Sequence, residues 1–187
     1  QRDIDKEFKS VFITNKKLSL KRTTNINDLK LLTKYRFTFG SENSTSGRLM
    51  PQYFLNIAGV ELTDFNGQTV GFSGSHDATI ALVNSGAYEA GVLNKQVWDR
   101  NMKKNPLRVK NATVFFITPS YVDYHWLAQG NLDQKFRNGF TKELREVILN
   151  LNPKNKNQKL ILEMFNAKKF IKANSQDYKE IEFIARK

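Results

Sequence analysis

The sequence predicts an α/β fold, with a mainly parallel sheet and its helices over residues 8–118 and a helical remainder after them. Runs rich in β-branched and aromatic residues alternate with helical patterns over that whole range, which is typical of parallel α/β folds. After Pro119 the strand patterns give way to helical ones. The 187 residues are enough for one domain or two small lobes.

The first predicted elements are a strand, a helix and a second strand. Residues 8–14 read FKSVFIT and alternate as a strand does. Apolar residues at helical spacing follow Asn25 and Asn27, and either asparagine is a suitable N-cap. A short strand is predicted at 35–40.

The later elements continue the alternation. A helix is predicted from about Gly47 to Gly59, and a second helix has Ser75 as its N-cap and Gly86 as its C-terminal stop. The other predicted elements are a loop with a short strand (62–73), a strand (88–94), a helix (95–104), a strand (112–118) and three helices (132–151, 158–165 and 176–184).

Composition excludes several kinds of site. The chain has no cysteine and two histidines, His76 and His125. Disulfides, thiolate metal sites and a cysteine nucleophile are therefore excluded, and a histidine-rich metal site is not expected. We predict neither a metal nor a cofactor.

The chain is strongly basic, with a formal net charge of +12. That surplus fits either a nucleic-acid partner or a site that attracts a small anion. The lysines are scattered along the chain rather than grouped in a basic block, which is typical of a solvated surface. A small anion is the predicted partner, and nucleic-acid binding is the less favoured alternative.

The sequence contains no stretch near the roughly 20 apolar residues of a membrane helix. Its first ten residues are charged and lack the apolar core of a signal peptide. We expect either that the protein is not exported or that its signal lies upstream.

Three hydroxyl residues, Ser44, Thr45 and Ser46, stand between a predicted strand and a predicted helix. The free N–H groups of a helix N-terminus, the helix dipole and these hydroxyls together favour an anion. A single N-cap would explain only one of the three residues. The run predicts an anion-binding turn.

A second polar turn reads FSGSHDA, residues 72–78. It places His76 in the first turn of a helix, where an imidazole can donate to an oxyanion. The alternative is an exposed histidine without a role. Ser73, Ser75 and Asp77 add residue types of a hydrolytic triad, but adjacent residues in one turn point apart and no Gly-x-Ser-x-Gly elbow is present. We predict no catalytic residues.

A third motif, ITPSYVDYHW at 117–126, follows a predicted buried strand. Loops at this place in α/β folds often contact ligands. Asp123 could accept hydrogen bonds there, and Tyr121, Tyr124 and Trp126 could line a pocket or simply pack the connection.

Five motifs occur in one order: STSG followed by Pro51, FSGSHDA, YEAGVLN, ITPSYVDYHWLAQGNLD and FIKANSQDYKEI. Together they resemble the phosphate-, phosphite- and phosphonate-binding proteins of ABC transporters, a branch of the type 2 periplasmic binding proteins. The resemblance covers about residues 8–185.

The resemblance implies a site and a function. In that family the Ser-Thr-Ser turn holds the phosphonate oxygens, which implies Ser44, Thr45 and Ser46, and the family's histidine matches His76. An acidic residue matching Asp123 contacts the organic part of the ligand in members that bind aminophosphonates. The implied function is capture of a phosphonate, phosphite or phosphate for an ABC permease, without catalysis, in the periplasm or as a cell-surface lipoprotein. A sensory or receptor domain of the same fold is the alternative.

The resemblance also implies two lobes. Residues 1–22 would form a hinge strand and the start of a crossover, 23–111 the ligand-binding second lobe, and 112–187 a hinge strand and the helical end of the first lobe. Members of the family normally have a further N-terminal segment. We therefore expect the apolar stripe of the tail to pack on such a segment or on a second copy. The stripe consists of Phe136, Phe140, Leu144, Val147, Ile148 and Leu151.

One position departs from the family pattern. Aminophosphonate binders have a carboxylate near the place of Asn94–Val97, where this sequence has none. We expect a ligand without an amine.

Overall fold

A computed structural model describes residues 1–65 and 69–186 of the chain. Contacts within the chain divide it into two units. One consists of residues 1–7 and 121–180, and the other of residues 8–120 and the segment that begins at 181. The lobe assignments made from the resemblance stay a prediction.

Among the described residues, the larger unit contains a five-stranded sheet. Its strands are β1 (Ser10–Asn15), β2 (Phe37–Phe39), β3 (Gly71–Phe72), β4 (Ala90–Asn94) and β5 (Ala112–Ile117), in the order β3-β2-β4-β1-β5. β2 pairs in parallel with β3 and β4, whereas β1 pairs antiparallel with β4 and β5. Four of the described strands run in one direction and β1 runs against them, so the sheet is mixed.

Every residue of β1 is buried. Because neighbouring side chains of a strand point to opposite faces, both faces of β1 are covered. Val11 and Ile13 pack on one face with residues of α2 (His76–Ser85) and α3 (Lys95–Lys104). On the other face the Phe12 ring lies 6.1 Å from the Phe37 ring. Burial on both faces is typical of sheets in α/β folds.

The predicted caps in this unit are confirmed. The Ser75 hydroxyl accepts from the Ala78 N–H, and Gly86 ends α2 with φ 82°. Asn25 caps a helix at Ile26–Lys34, which is a 3-10 helix. The helix predicted from Gly47 is observed as a π-helical turn followed by α1 (Met50–Ile57). Part of the predicted loop at 62–73 lies outside the described residues.

The smaller unit is helical, with α4 (Leu132–Lys135), α5 (Phe140–Leu149), α6 (Lys156–Met164) and a 3-10 helix at Ser175–Tyr178; α7 (Lys179–Ala185) follows. No helix in residues 1–65 or 69–186 is long and apolar enough to cross a membrane.

The prediction of one continuous helix over 132–151 is wrong. Gly139 adopts φ 80° between α4 and α5, a conformation that glycine accepts without strain. The Asp133 carboxylate then accepts from the N–H groups of Gly139, at 3.1 Å, and Thr141, at 2.7 Å, and so caps the start of α5.

The apolar stripe of the tail lies at the surface of this unit. Phe136 and Val147 are 63% and 64% exposed, and Leu144 is also exposed. Phe140, Ile148 and Leu151 are partly exposed. Each of the six side chains therefore keeps apolar surface that the described residues do not cover.

Candidate functional site

Three parallel strands end at one edge of the sheet and lead into the polar turns. β2 continues through Gly40 to Ser44–Ser46, β3 leads to His76, and β4 ends at Asn94. The carboxyl ends of parallel strands meet at the same edge, so the turns that follow them converge.

The hydroxyl run forms the start of a helix. The Ser44 hydroxyl accepts from the Gly47 N–H at 2.9 Å, as an N-cap does. The Ser44 carbonyl accepts from the N–H groups of Arg48 and Leu49, at 2.9 and 3.0 Å. The N–H groups of Thr45 and Ser46 come before the first intrahelical donor, so the helix supplies no acceptor for them. They lie at the positive end of the helix dipole.

Ser46 has an unusual environment. Its side chain is fully buried, and its hydroxyl has no hydrogen-bond partner among the described residues. Its carbonyl, in contrast, accepts from the Ser10 hydroxyl at 2.7 Å. A buried hydroxyl without a partner is uncommon in folded proteins, and this one lies at the start of a helix, where an anion is also favoured.

Two glycines let His76 approach this turn. A Cβ atom on Gly47 would lie 3.2 Å from the His76 Cε1 atom and 3.0 Å from the Ser44 hydroxyl. A Cβ atom on Gly40 would lie 3.2 Å from the Gly47 Cα atom. Larger residues would push these groups apart, so glycine at both positions brings the imidazole and the hydroxyl turn into one site.

The orientation of His76 follows from a contact with β4. Its Nδ1 atom accepts from the Asn94 N–H at 3.4 Å, so a neutral imidazole has its proton on Nε2. Burial lowers the pKa of His76, the Asp77 carboxylate raises it and Arg100 lowers it, with burial the largest effect. His76 is therefore a neutral Nε2–H donor near neutral pH, and an anion bound there would raise its pKa.

Arg48 follows the turn directly and adds a cation. Its guanidinium lies 5.3 Å from the centre of the Phe39 ring and 5.7 Å from that of Phe72. Burial lowers the pKa of Arg48, and the Glu42 carboxylate partly opposes this. The guanidinium packs on rings at the ends of β2 and β3, which fixes this helix start to the sheet edge.

Asp123 lies in the smaller unit, where it is 6% exposed and its N–H donates to the Asp5 carbonyl at 2.9 Å. Burial raises the pKa of Tyr178 to about 12, with smaller contributions from nearby carboxylates that include Asp123. The structure thus brings Ser44, Ser46 and His76 together in the larger unit and places Asp123 in the other unit.

Sequence reasoning missed three residues of this region: Ser10, Asn94 and Arg48. Asn94 could have been identified from the sequence, since it stands between a predicted buried strand and a predicted helix, where its side chain caps α3. The described part of the chain contains no group of three or more His, Asp or Glu residues that could hold a metal ion.

Comparison with known proteins gives close relatives. A curated protein of Prochlorococcus marinus strain MIT 9301, named as a probable ABC transporter phosphite-binding protein, PhnD1, is 67% identical over all of this chain and 63% of its own length. A solved structure of PhnD1 from the same organism, in complex with methylphosphonate, has a TM-score of 0.95 and 67% identity, over 100% of this chain and 68% of that chain. This chain therefore spans less than two thirds of the curated relative.

A more distant structure agrees on the fold. The binding protein of an ABC phosphonate transporter from Pseudomonas aeruginosa has a TM-score of 0.70 at 20% identity, over 96% of this chain and 57% of that chain. These structures have the type 2 periplasmic-binding-protein fold, which confirms the predicted fold class. The relatives are named as binding proteins of transporters rather than as enzymes.

A family described as the periplasmic substrate-binding proteins of ABC phosphonate transporters matches residues 1–178. The match covers nearly the whole chain, and this chain belongs to that family of periplasmic substrate-binding proteins.

Proposed function

We propose that this chain binds a small phosphorus oxyanion, phosphite or a simple phosphonate, for delivery to an ABC permease. The observation that supports this most strongly is the buried Ser46 hydroxyl, which lacks a partner among the described residues and belongs to the turn that packs against His76. The names of the relatives agree with it: PhnD1 is named for phosphite, and its solved structure is a complex with methylphosphonate.

Binding would replace the water shell of the anion with fixed donors. The N–H groups of Thr45 and Ser46, their hydroxyls and the His76 Nε2–H are neutral donors that would face one oxyanion. A hydrogen bond to a charged group contributes about 1.5–3 kcal/mol. A few such bonds, made by groups that are already oriented, suffice for tight binding.

The proposal includes no catalytic step. The hydroxyls of Ser73 and Ser75 bond to the local backbone: Ser73 donates to the Ser75 carbonyl at 2.9 Å, and Ser75 caps α2. The imidazole Nδ1 accepts from the Asn94 N–H, which leaves the proton on Nε2. A neutral His76 in this state has no free nitrogen that could take a proton from a serine, so the arrangement suits holding an anion.

The proposed ligand has no amine. Asn94, where aminophosphonate binders would have a carboxylate nearby, uses its side-chain oxygen to accept from the N–H groups of Gln96 and Val97. That oxygen caps α3 and is not a counter-charge for an ammonium group. From the resemblance we propose Asp123 as a further ligand contact.

We also propose where the protein acts and what covers its exposed apolar stripe. The protein would act in the periplasm or as a lipoprotein at the cell surface. The exposed stripe that includes Phe136 and Val147 would pack on a further segment or on a second copy.

Isothermal titration of the native protein with phosphite, methylphosphonate, phosphate, sulfate and 2-aminoethylphosphonate tests the proposal. We expect saturable binding of phosphite or methylphosphonate and weaker binding of the amine. A variant with Ser44, Thr45 and Ser46 all changed to Ala should lose the binding.

The matched control is Ser85→Ala, because the Ser85 hydroxyl is exposed at the C-terminal end of α2, where it donates to the Leu82 carbonyl and accepts from the Ala87 N–H. It should bind as the unchanged protein does. Absence of binding for every phosphorus oxyanion, or equal binding by the triple variant, would overturn the proposed function.

A further inference from the structure

Behind the hydroxyl turn lies a buried serine of another element. Ser10, at the start of β1, is fully buried, and its hydroxyl donates to the Ser46 carbonyl at 2.7 Å. The two residues are 36 positions apart. The bond therefore links the turn to the sheet and is not part of the turn's own backbone pattern.

Ser10 is itself held by Thr118, the residue that follows β5. Its N–H donates to the Thr118 hydroxyl at 3.0 Å, and its carbonyl accepts from the Thr118 N–H at 3.1 Å. Ser10 and Thr118 are both buried. The Ser10 hydroxyl thus extends from a rigid position, which a donor needs if it is to orient another group.

The bond to Ser10 fixes one peptide plane of the turn. The Ser46 carbonyl and the Gly47 N–H belong to the same planar peptide group. The carbonyl accepts from Ser10, and the N–H donates to the Ser44 hydroxyl at 2.9 Å. With both ends held, the plane cannot rotate freely about its neighbouring bonds.

We propose that Ser10 is a positioning residue of the anion site, acting through the Ser46 carbonyl. It holds this carbonyl oxygen away from the anion that the Ser46 N–H and hydroxyl would bind. Without the bond, the buried carbonyl loses its donor from β1, and the plane is less restrained from turning its oxygen toward the ligand. A carbonyl oxygen beside an anion is repulsive. The inference rests on the proposed function.

Ser10→Ala removes the donor, and Ser10→Cys keeps a side chain of similar size with a weaker donor. We expect each to weaken binding of methylphosphonate or phosphite in the native protein, by about tenfold for Ser10→Ala, because a hydrogen bond that orients the site is lost. Isothermal titration measures this. If Ser10→Ala does not fold, Ser10→Cys gives the same test.

The matched control is Thr14→Val on the same strand. Thr14 is also fully buried, but its hydroxyl has no partner among the described residues. Thr14→Val removes a buried hydroxyl of β1 without touching the turn, so its affinity should equal that of the unchanged protein.

A double-mutant cycle separates positioning from simple destabilisation. In the Ser44→Ala background, where the other end of the same peptide plane is already released, Ser10→Ala should weaken binding less than it does alone. Equal losses in both backgrounds, or unchanged affinity in both Ser10 variants, would overturn the inference while leaving the proposed function intact. Absence of binding by the unchanged protein would overturn the proposed function and the inference together.

Discussion

Ser46→Ala should change stability and ligand binding in opposite directions. The Ser46 hydroxyl is buried without a partner among the described residues, and a buried hydroxyl in that condition destabilises the folded state. In the complex it would donate to a charged oxygen. Most single substitutions destabilise a protein, so a variant that loses affinity without losing stability separates loss of the ligand contact from general damage to the fold.

The expected magnitudes follow from hydrogen-bond energetics. A buried, unsatisfied polar group costs about 1–3 kcal/mol, and the small cavity left by alanine offsets part of that gain. We expect the ligand-free variant to be between unchanged and about 1 kcal/mol more stable, which corresponds to a rise in Tm of up to about 2–4 °C for a chain of this size. Loss of one hydrogen bond to a charged group costs about 1.5–3 kcal/mol, so Kd should rise by about 10- to 150-fold.

Thermal unfolding of the ligand-free protein and isothermal titration with methylphosphonate measure the two effects separately. Ser44→Ala serves as the comparison, because its hydroxyl caps the helix by accepting from the Gly47 N–H. That variant should lose about 1 kcal/mol of stability as well as affinity. A Ser46→Ala protein that is clearly less stable and binds equally well would refute the reasoning.

The other predictions concern the rest of the site and the helix break. Gly47→Ala should weaken binding and cost about 1–3 kcal/mol of stability, because the new Cβ atom would lie 3.2 Å from the His76 ring. Gly130→Ala, where a Cβ atom meets nothing within 4 Å, is its control in titration and thermal melts. Burial lowers the pKa of His76 from 6.5, so the unfolded chain binds a proton at this residue more readily than the folded protein does. The neutral imidazole therefore contributes to the free energy of unfolding above about pH 6.5, and this contribution is lost as the pH falls through the pKa of the folded state. His76→Gln keeps an N–H donor and should remove that part of the pH dependence of Tm, and an unchanged pH profile would contradict the assignment. Asp133→Ala should lower Tm and shorten α5, as judged by circular dichroism, because the carboxylate accepts two backbone N–H bonds there; an equal helix content would show that it is not the cap.

Local signals explain which elements the sequence predicts well. Ser75 and Gly86 bound α2 as predicted, because caps depend on residues within one turn. The break between α4 and α5 does not follow from the pattern, since apolar residues keep helical spacing across it. It depends on the contact between Asp133 and Thr141, eight positions apart, which periodicity does not encode.

At the site, too, local signals are readable from the sequence and contacts between distant residues are not. Ser44, Ser46 and His76 stand out because each follows a strand and begins a helix. The contributions of Ser10 and Asn94 depend on pairings over 36 and 18 positions. A single sequence gives no register for such pairings, and a buried serine in a strand has no feature that separates it from core packing.

The most direct test of the central claim is a crystal structure of the native protein with methylphosphonate. The account predicts one phosphonate oxygen within hydrogen-bond distance of the Ser46 hydroxyl and another oxygen at the His76 Nε2 atom, at about 2.6–3.2 Å. The Ser46 carbonyl should keep its bond to Ser10. A phosphonate bound elsewhere, with the Ser46 hydroxyl and His76 beyond about 3.5 Å from its oxygens, would contradict the account.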